Sequence, residues 1–170
     1  MQEQALFLQY LDASTRTVYR WAIAGGACRN HHFELPAKDY DVVVCLTNPN
    51  MRNHKGALEF ASEVSRFVSS QGGSSRVVCA YGHGDFGERH LAVIKIDYRG
   101  DSYDLLVEHD ANVIDAIQHF DCNLNQFFWD MFSETVRYVG KQPIDSLIWL
   151  KPVSEKRHDK MVQFYRDHVL

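Results

Sequence analysis

The sequence predicts one α/β domain, in which a mixed sheet of about five strands is flanked by helices. Val42–Leu46 is a continuous, mostly β-branched apolar run, which is typical of a central strand. Residues 56–70 repeat apolar side chains at helical spacing. Neither a linker nor an internal repeat divides the 170 residues, and this length suits a single domain with a sizeable core.

In the first two thirds of the chain, helices and strands alternate. The spacing of apolar residues distinguishes helices from strands, and glycine or asparagine turns mark where each element ends. The expected helices cover 5–15, 26–32 and 56–70, and the expected strands cover 18–24, 42–46, 76–81, 91–98 and 102–109. We expect the last two strands to form a hairpin around Arg99 and Gly100.

The final third returns to helical patterns. We expect helices over 112–120, 122–136 and 154–169, whereas the apolar stretch 144–150 is ambiguous. Four aromatic residues within 122–136 have helical spacing and are expected in the core: Phe127, Phe128, Trp129 and Phe132. We therefore expect a single domain over 1–170, with a catalytic core at about 20–140 and a basic helical segment at about 141–170.

Composition excludes several classes of protein. The chain is 45% apolar and 24% charged, and no apolar run approaches the roughly 20 residues that span a bilayer. The N-terminus lacks the basic start and long apolar block of a secretory signal. Cys28, Cys45 and Cys79 lie among apolar or small residues without a C-x-x-C pair, so we expect buried thiols and a cytoplasmic protein.

The charge is unevenly distributed along the chain. The net charge is −4, yet residues 137–170 carry seven Lys or Arg against four Asp or Glu. The remaining residues therefore form an acidic body, which suits metal binding, and the basic segment suits contact with a polyanion such as RNA. A solvated charged helix explains the same segment without any partner.

Two aspartates open the most apolar strand. Asp39 and Asp41 directly precede Val42, and side chains two residues apart on a strand project from the same face. Their carboxylates would repel each other unless they share a cation. Two Mg²⁺ ions held by such carboxylates can activate an attacking oxygen and stabilise a leaving oxygen in phosphoryl chemistry.

A third carboxylate would strengthen this prediction. Asp104 lies inside an apolar strand, on the same face as Leu106 and Glu108, where a buried aspartate needs a partner or a metal. Asp97 in the neighbouring strand is the alternative, although its position suits a strand end that faces solvent.

A glycine pair precedes the two aspartates. Gly25 and Gly26 follow a predicted strand and precede a predicted helix, where glycine lets the backbone approach phosphate oxygens closely. Arg29 follows within the same segment. Lys38, next to Asp39, is a candidate phosphate contact or a surface residue.

Together these motifs resemble a known family. GGACRN followed by KDYDVVV is similar to the head-domain signature of class II tRNA nucleotidyltransferases and bacterial poly(A) polymerases, in the DNA polymerase β superfamily. There, Gly-Gly-x-Val-Arg-Asp is followed by a spacer and by Asp-x-Asp opening a hydrophobic strand. HFDCNLNQFFWD resembles the family's Arg-Asp-Phe-Thr-Ile-Asn-Ala segment, with Asp121 and Asn125 at matching positions. The resemblance spans roughly residues 20–140.

The resemblance implies a polymerase-β-like nucleotidyltransferase fold. It also implies a reaction in which an acceptor hydroxyl attacks the α-phosphate of an NTP and pyrophosphate is released, with an RNA 3′ end such as tRNA as the expected acceptor. The implied metal ligands for Mg²⁺ are Asp39, Asp41 and Asp104, and the implied nucleotide contacts are Gly25, Gly26, Arg29, Asp121 and Asn125.

The sequence departs from the family pattern at three places. Asn30 replaces an aspartate, and His119 and Phe120 stand where arginines precede Asp121. The family reads the incoming base with a Glu-Asp-x-x-Arg element and grips tRNA with further domains, whereas SEKRHDK differs from that element. Two alternatives therefore stay open: a minimal transferase that modifies a protein or small molecule, and a non-catalytic nucleotide-binding module. A partner chain or second copy could supply specificity.

Overall fold

A computed structural model describes residues 1–78 and 90–170. Within these ranges the strands are β1 (Tyr19–Ala24), β2 (Asp39–Leu46), β3 (Ser74–Val78), β4 (Ala92–Tyr98), β5 (Asp101–Val107), β6 (Phe127–Asp130) and β7 (Thr135–Tyr138). The helices are α1 (Gln2–Ser14), α2 (Gly26–His32), α3 (His54–Ser70), α4 (Val113–Gln118) and α5 (Glu155–Phe164). The end of the strand predicted over 76–81, including Cys79, and the following glycine-rich stretch lie outside the described residues.

The strands form one mixed sheet in the order β3-β4-β5-β2-β1-β6-β7. β2 pairs in parallel with β5, and the other neighbouring strands pair antiparallel. The predicted hairpin is confirmed, because Arg99 and Gly100 adopt positive φ values of 50° and 80° and join β4 to β5 by a two-residue turn. The α/β class is therefore confirmed, with seven strands in place of about five.

Alternate residues of β2 face two different cores. Val42, Val44 and Leu46 belong to the larger core, which packs α1 and α3 against one face of the sheet. Val43 and Cys45 point to the opposite face, where they pack against α4 in a much smaller cluster. Since α4 is short, it covers the middle of this second face and leaves the first residues of β2 accessible.

The helix predicted over 122–136 is wrong. The chain forms a short 3₁₀ turn at Asn123–Asn125 and then the β6–β7 hairpin. Phe127 and Trp129 are buried on one side of β6, while Phe132 is fully exposed at the hairpin turn. Aromatic and β-branched residues suit strands as well as apolar helices, and β1 provides β6 with a pairing edge at Ala24.

The C-terminal helix is confirmed over Glu155–Phe164 and continues as one wide turn over Tyr165–Val169. Its Met161 is completely buried against Cys122 and Leu124 in a third small cluster. The ambiguous stretch 144–150 forms neither helix nor strand, apart from a single bridge between Trp149 and Cys122. Among the described helices, none is long and apolar enough to cross a membrane.

Candidate active site

The residues predicted for the site lie around one cleft. All nine line an open cavity of about 930 Å³, a volume in the range of small-molecule sites. They are Gly25, Gly26, Arg29, Lys38, Asp39, Asp41, Asp104, Asp121 and Asn125. The sheet topology therefore brings together residues from four separate parts of the chain, and the role of each stays a prediction.

The acidic wall of the cleft is built on β2 and β5. Asp39 and Asp41 lie on the same face at the start of β2, and Asp41 stands opposite Asp104 in the parallel register. Side chains of paired residues in a parallel ladder project to the same side, so these three carboxylates share the accessible face. Asp97, the alternative, is exposed and accepts a hydrogen bond from Ser102 at 2.7 Å.

Among the three carboxyl groups of this wall, that of Asp41 has a raised pKa. Burial, and after it the neighbouring Asp104 carboxylate, together raise the pKa of its carboxyl to about 6. Both causes disfavour the ionised form, because the charge loses hydration and meets a like charge. A cation bound beside Asp41 would reverse both effects.

The donor set of the acidic wall fits Mg²⁺, which prefers carboxylate oxygens together with substrate phosphates. Asp39 and Asp41 would hold such an ion from one strand. Asp104 is already paired, since Lys95 Nζ lies 3.0 and 3.2 Å from its two oxygens. In the described part of the chain, no three His, Cys, Asp or Glu side chains converge closely enough to hold a metal as they stand.

Gly25 brings the backbone close to the acidic wall. It has φ 73° and ψ −139°, a conformation that L-residues rarely adopt, and its N–H donates to the carbonyl oxygen of Phe127 at 3.0 Å. A Cβ at this position would lie 3.2 Å from Asp41 Oδ2. A side chain here would therefore both strain the turn and push on the Asp41 carboxylate.

Gly25→Ala is expected to lower the free energy of unfolding by about 2–3 kcal/mol, because positive φ and the close approach both oppose a side chain. Gly26→Ala is the matched control. A Cβ at Gly26 meets Arg29 at an ordinary 3.5 Å, so we expect a change below about 1 kcal/mol. Urea unfolding of both variants measures the difference. Equal losses would contradict the conformational explanation.

Arg29 is a largely buried part of the cleft lining. Its Nη1 donates to Asn125 Oδ1 at 2.9 Å, and its guanidinium lies 4.1 Å from the centre of the Phe164 ring. Burial lowers the pKa of this guanidinium, and the positive charge of Arg157 adds to the effect. These contacts make Arg29 a link between α2 and the C-terminal helix.

The hydrogen bond from Arg29 to Asn125 is one of a connected series that includes Asp121, the other residue of the second predicted motif. Asn125 Nδ2 donates to Asp121 Oδ1 at 2.9 Å, and Arg157 Nε donates to Asp121 Oδ2 at 2.8 Å. A chain of charge-assisted hydrogen bonds thus runs from α2 through the 3₁₀ turn to α5. Asp121 and Asn125 therefore hold the C-terminal helix against the cleft.

The cleft also has a basic wall, which comes from the C-terminal segment. Lys151, Arg157 and Lys160 line the cleft, and so does Lys38. Sequence reasoning missed Arg157 as a site residue, although it lies within SEKRHDK, the stretch set beside the family's base-reading element. The basic segment 141–170 therefore forms part of the cleft.

A buried hydrogen-bonded pair was also missed. His90 Nδ1 lies 2.7 Å from Glu108 Oε1, and the two residues are only 8% and 5% exposed although both line the cleft. Burial raises the pKa of the Glu108 carboxyl, while the hydrogen bond to His90 lowers it. Glu108 could have been found from its alternation with Asp104 and Leu106, but no sequence signal pointed to His90.

Solved structures with a similar fold agree with this architecture. A tRNA-processing enzyme in its apo form I superposes with a TM-score of 0.52 at 17% identity, covering 81% of this chain and 32% of the other. A CCA-adding enzyme in apo form I gives a TM-score of 0.50 at 18% identity and covers 81% and 30%. The chain has the fold of these nucleotidyltransferases.

The nucleotidyltransferase fold extends to a further structure, the Bacillus stearothermophilus CCA-adding enzyme in complex with CTP. It matches with a TM-score of 0.50 at 13% identity and covers 80% of this chain and 29% of the other. The present chain thus spans about a third of the length of these proteins. Neither a family model nor a curated protein matches the sequence.

Proposed function

We propose that the protein is a Mg²⁺-dependent nucleotidyltransferase that moves a nucleoside monophosphate from an NTP to an acceptor hydroxyl. The observation that carries the proposal is the row of Asp39, Asp41 and Asp104 on the open face of a sheet with the nucleotidyltransferase fold. A bound cation and its phosphate ligand explain acidic residues at this position better than a solvated strand start does.

In the reaction, the acceptor oxygen forms a bond to the α-phosphorus, and the bond from this phosphorus to the oxygen bridging to the β-phosphorus breaks. Pyrophosphate leaves with the electron pair, and the proton of the acceptor hydroxyl passes to solvent. Asp39 and Asp41 would hold Mg²⁺, which would supply charge neutralisation and lower the pKa of the attacking hydroxyl.

The protein's own contribution is position and charge. Asp39 and Asp41 hold the acidic end of the cleft, and Gly25 leaves room for the backbone to approach a phosphate. Lys151, Arg157 and Lys160 of the C-terminal segment line the same cleft and offer positive charge to the nucleotide. Binding both reactants in one cleft provides most of the expected rate enhancement.

We infer that the acceptor is an RNA 3′ end of the tRNA type. Support comes from the tRNA-processing and CCA-adding enzymes that share the fold, one of them in complex with CTP. The basic wall of the cleft also suits a polyanion, since Lys and Arg contacts to phosphates dominate non-specific RNA affinity.

The test is incubation with each α-³²P-labelled NTP, Mg²⁺ and total RNA. We expect label on RNA with the wild type and none with Asp39→Ala/Asp41→Ala or with Asp104→Asn. Asp97→Asn is the control, because this exposed carboxylate lies outside the cleft and should be dispensable. Label on protein would assign a different acceptor. No transfer, with equal NTP binding by wild type and double variant, would refute catalysis.

A further inference from the structure

Lys95 stands directly opposite the third carboxylate of the proposed metal site. It pairs with Asp104 in the antiparallel register of β4 and β5, and its ammonium contacts both carboxylate oxygens, at 3.0 and 3.2 Å. The two side chains remain 38% and 30% exposed. A solvated pair of this kind contributes little stability and can exchange partners.

Lys95 lies in a row of register partners that crosses four strands, with Arg76 on β3 opposite Lys95 on its other side. Lys95 on β4 is opposite Asp104 on β5, and Asp104 is opposite Asp41 on β2. Asp39 lies two residues before Asp41 on the same face. The row therefore places an ammonium group at the far side of Asp104, on the same accessible face as the carboxylates.

The Lys95 ammonium already offsets part of the negative charge of the three carboxylates. Lys95 is also the basic residue of this row that contacts Asp104. An ion that also used Asp104 would have to displace the Lys95 ammonium from it. That exchange opposes binding, because the ammonium would remain as a positive charge close to the incoming cation.

We infer that Lys95 occupies the third carboxylate and competes with divalent cations for it. In the nucleotide-free protein, cation binding is then limited to Asp39 and Asp41. Asp104 becomes a metal ligand only when the Lys95 ammonium dissociates from its carboxylate. This inference rests on the proposed function, since it concerns the metal site of that reaction, and it assigns Lys95 a role in tuning metal affinity.

The test is a titration of the nucleotide-free protein with Mn²⁺, in which free Mn²⁺ is followed by electron paramagnetic resonance. We expect Lys95→Met to bind Mn²⁺ about tenfold more tightly than the wild type, because removing one nearby positive charge frees a third carboxylate. Lys95→Arg keeps the charge and should bind as the wild type does. Lys55→Met removes an exposed lysine of α3 as a matched control and should change affinity less than about twofold.

The double variant Lys95→Met/Asp104→Asn isolates the cause. If the gain comes from the freed Asp104, this variant should return to within about threefold of wild-type Mn²⁺ affinity. Unchanged affinity in Lys95→Met would overturn the inference, and so would a gain that persists in the double variant. Circular dichroism verifies that each variant is folded.

Asp41→Asn in the same titration separates this inference from the proposed function. If Asp41→Asn loses Mn²⁺ binding while Lys95→Met behaves as the wild type, only the role of Lys95 is refuted. If Asp41→Asn binds Mn²⁺ as tightly as the wild type, the carboxylates are not the metal site and the proposed function loses its basis.

Discussion

Asp41→Asn is expected to abolish nucleotide transfer and, without divalent cations, to raise the melting temperature of the protein at neutral pH. The carboxyl of Asp41 has its pKa raised from 3.8 to about 6 by burial and by Asp104. Its charged form is therefore less favourable in the folded protein than in the unfolded chain. A neutral amide of the same shape removes this cost and also removes a proposed metal ligand.

The sign of the pH dependence follows from the raised pKa. Because the folded protein holds the proton more tightly, the Asp41 carboxyl contributes stability below about pH 4, and this contribution is lost as pH rises through about 6. At pH 7.5 the ionised carboxylate costs the wild type up to about 3 kcal/mol. Asp41→Asn should recover part of this free energy, which corresponds to a melting temperature several degrees above that of the wild type. The difference in melting temperature should become smaller toward pH 4.5.

Thermal melts in EDTA from pH 4.5 to 7.5 measure this difference, and transfer assays should show a loss of at least about a hundredfold. Asp39→Asn is the control: its side chain is exposed, so its charge stays hydrated and its removal should change the melting temperature little. Adding Mg²⁺ should stabilise the wild type but not Asp41→Asn. An Asp41→Asn protein that melts below the wild type at every pH would contradict the argument.

The second large effect concerns the ion pair that holds the C-terminal helix. Asp121→Ala is expected to lower the free energy of unfolding by about 2–4 kcal/mol, because it deprives the buried Asn125 amide and the Arg157 guanidinium of their shared acceptor. A double-mutant cycle with Arg157→Ala should give a coupling energy of about 1–3 kcal/mol. Urea unfolding of the four proteins measures this value.

A second ion pair of similar length provides the matched control. Arg137 Nε lies 2.7 Å from Asp130 Oδ2, but the arginine side chain is 58% exposed, whereas that of Arg157 is 31% exposed. Exposed pairs contribute about 0–1 kcal/mol, so the cycle of Asp130→Ala and Arg137→Ala should give a smaller coupling. Equal coupling energies in the two cycles would show that the Asp121–Arg157 bond does not dock α5.

Local patterns predicted most of the fold around the site. The run Val42–Leu46 predicted the central strand, and the glycine pair predicted a turn into α2; both are confirmed. These predictions succeeded because the glycine turn, the two aspartates and the apolar strand all lie within one short segment of the sequence. The helix predicted over 122–136 failed because aromatic residues at helical spacing also suit a strand, and pairing with β1 decided between them.

The choice between Asp104 and Asp97 shows a different limit. Both aspartates lie in apolar strands, and sequence alternation alone left the two open. The parallel register of β2 and β5 places Asp104 opposite Asp41, whereas Asp97 is exposed beside Ser102. Register is a property of two strands together, so neither strand could reveal it alone.

By itself, the sequence determined the α/β class, the Asp39 and Asp41 pair at the start of β2, and the glycine turn before α2, because each depends on residues close in the chain. Only the tertiary structure decided that Lys95 pairs with Asp104, that Arg29 links to Asn125, and that α5 lines the cleft. These contacts join residues from separate elements. Strand register and helix docking, which depend on packing across the whole fold, bring them together.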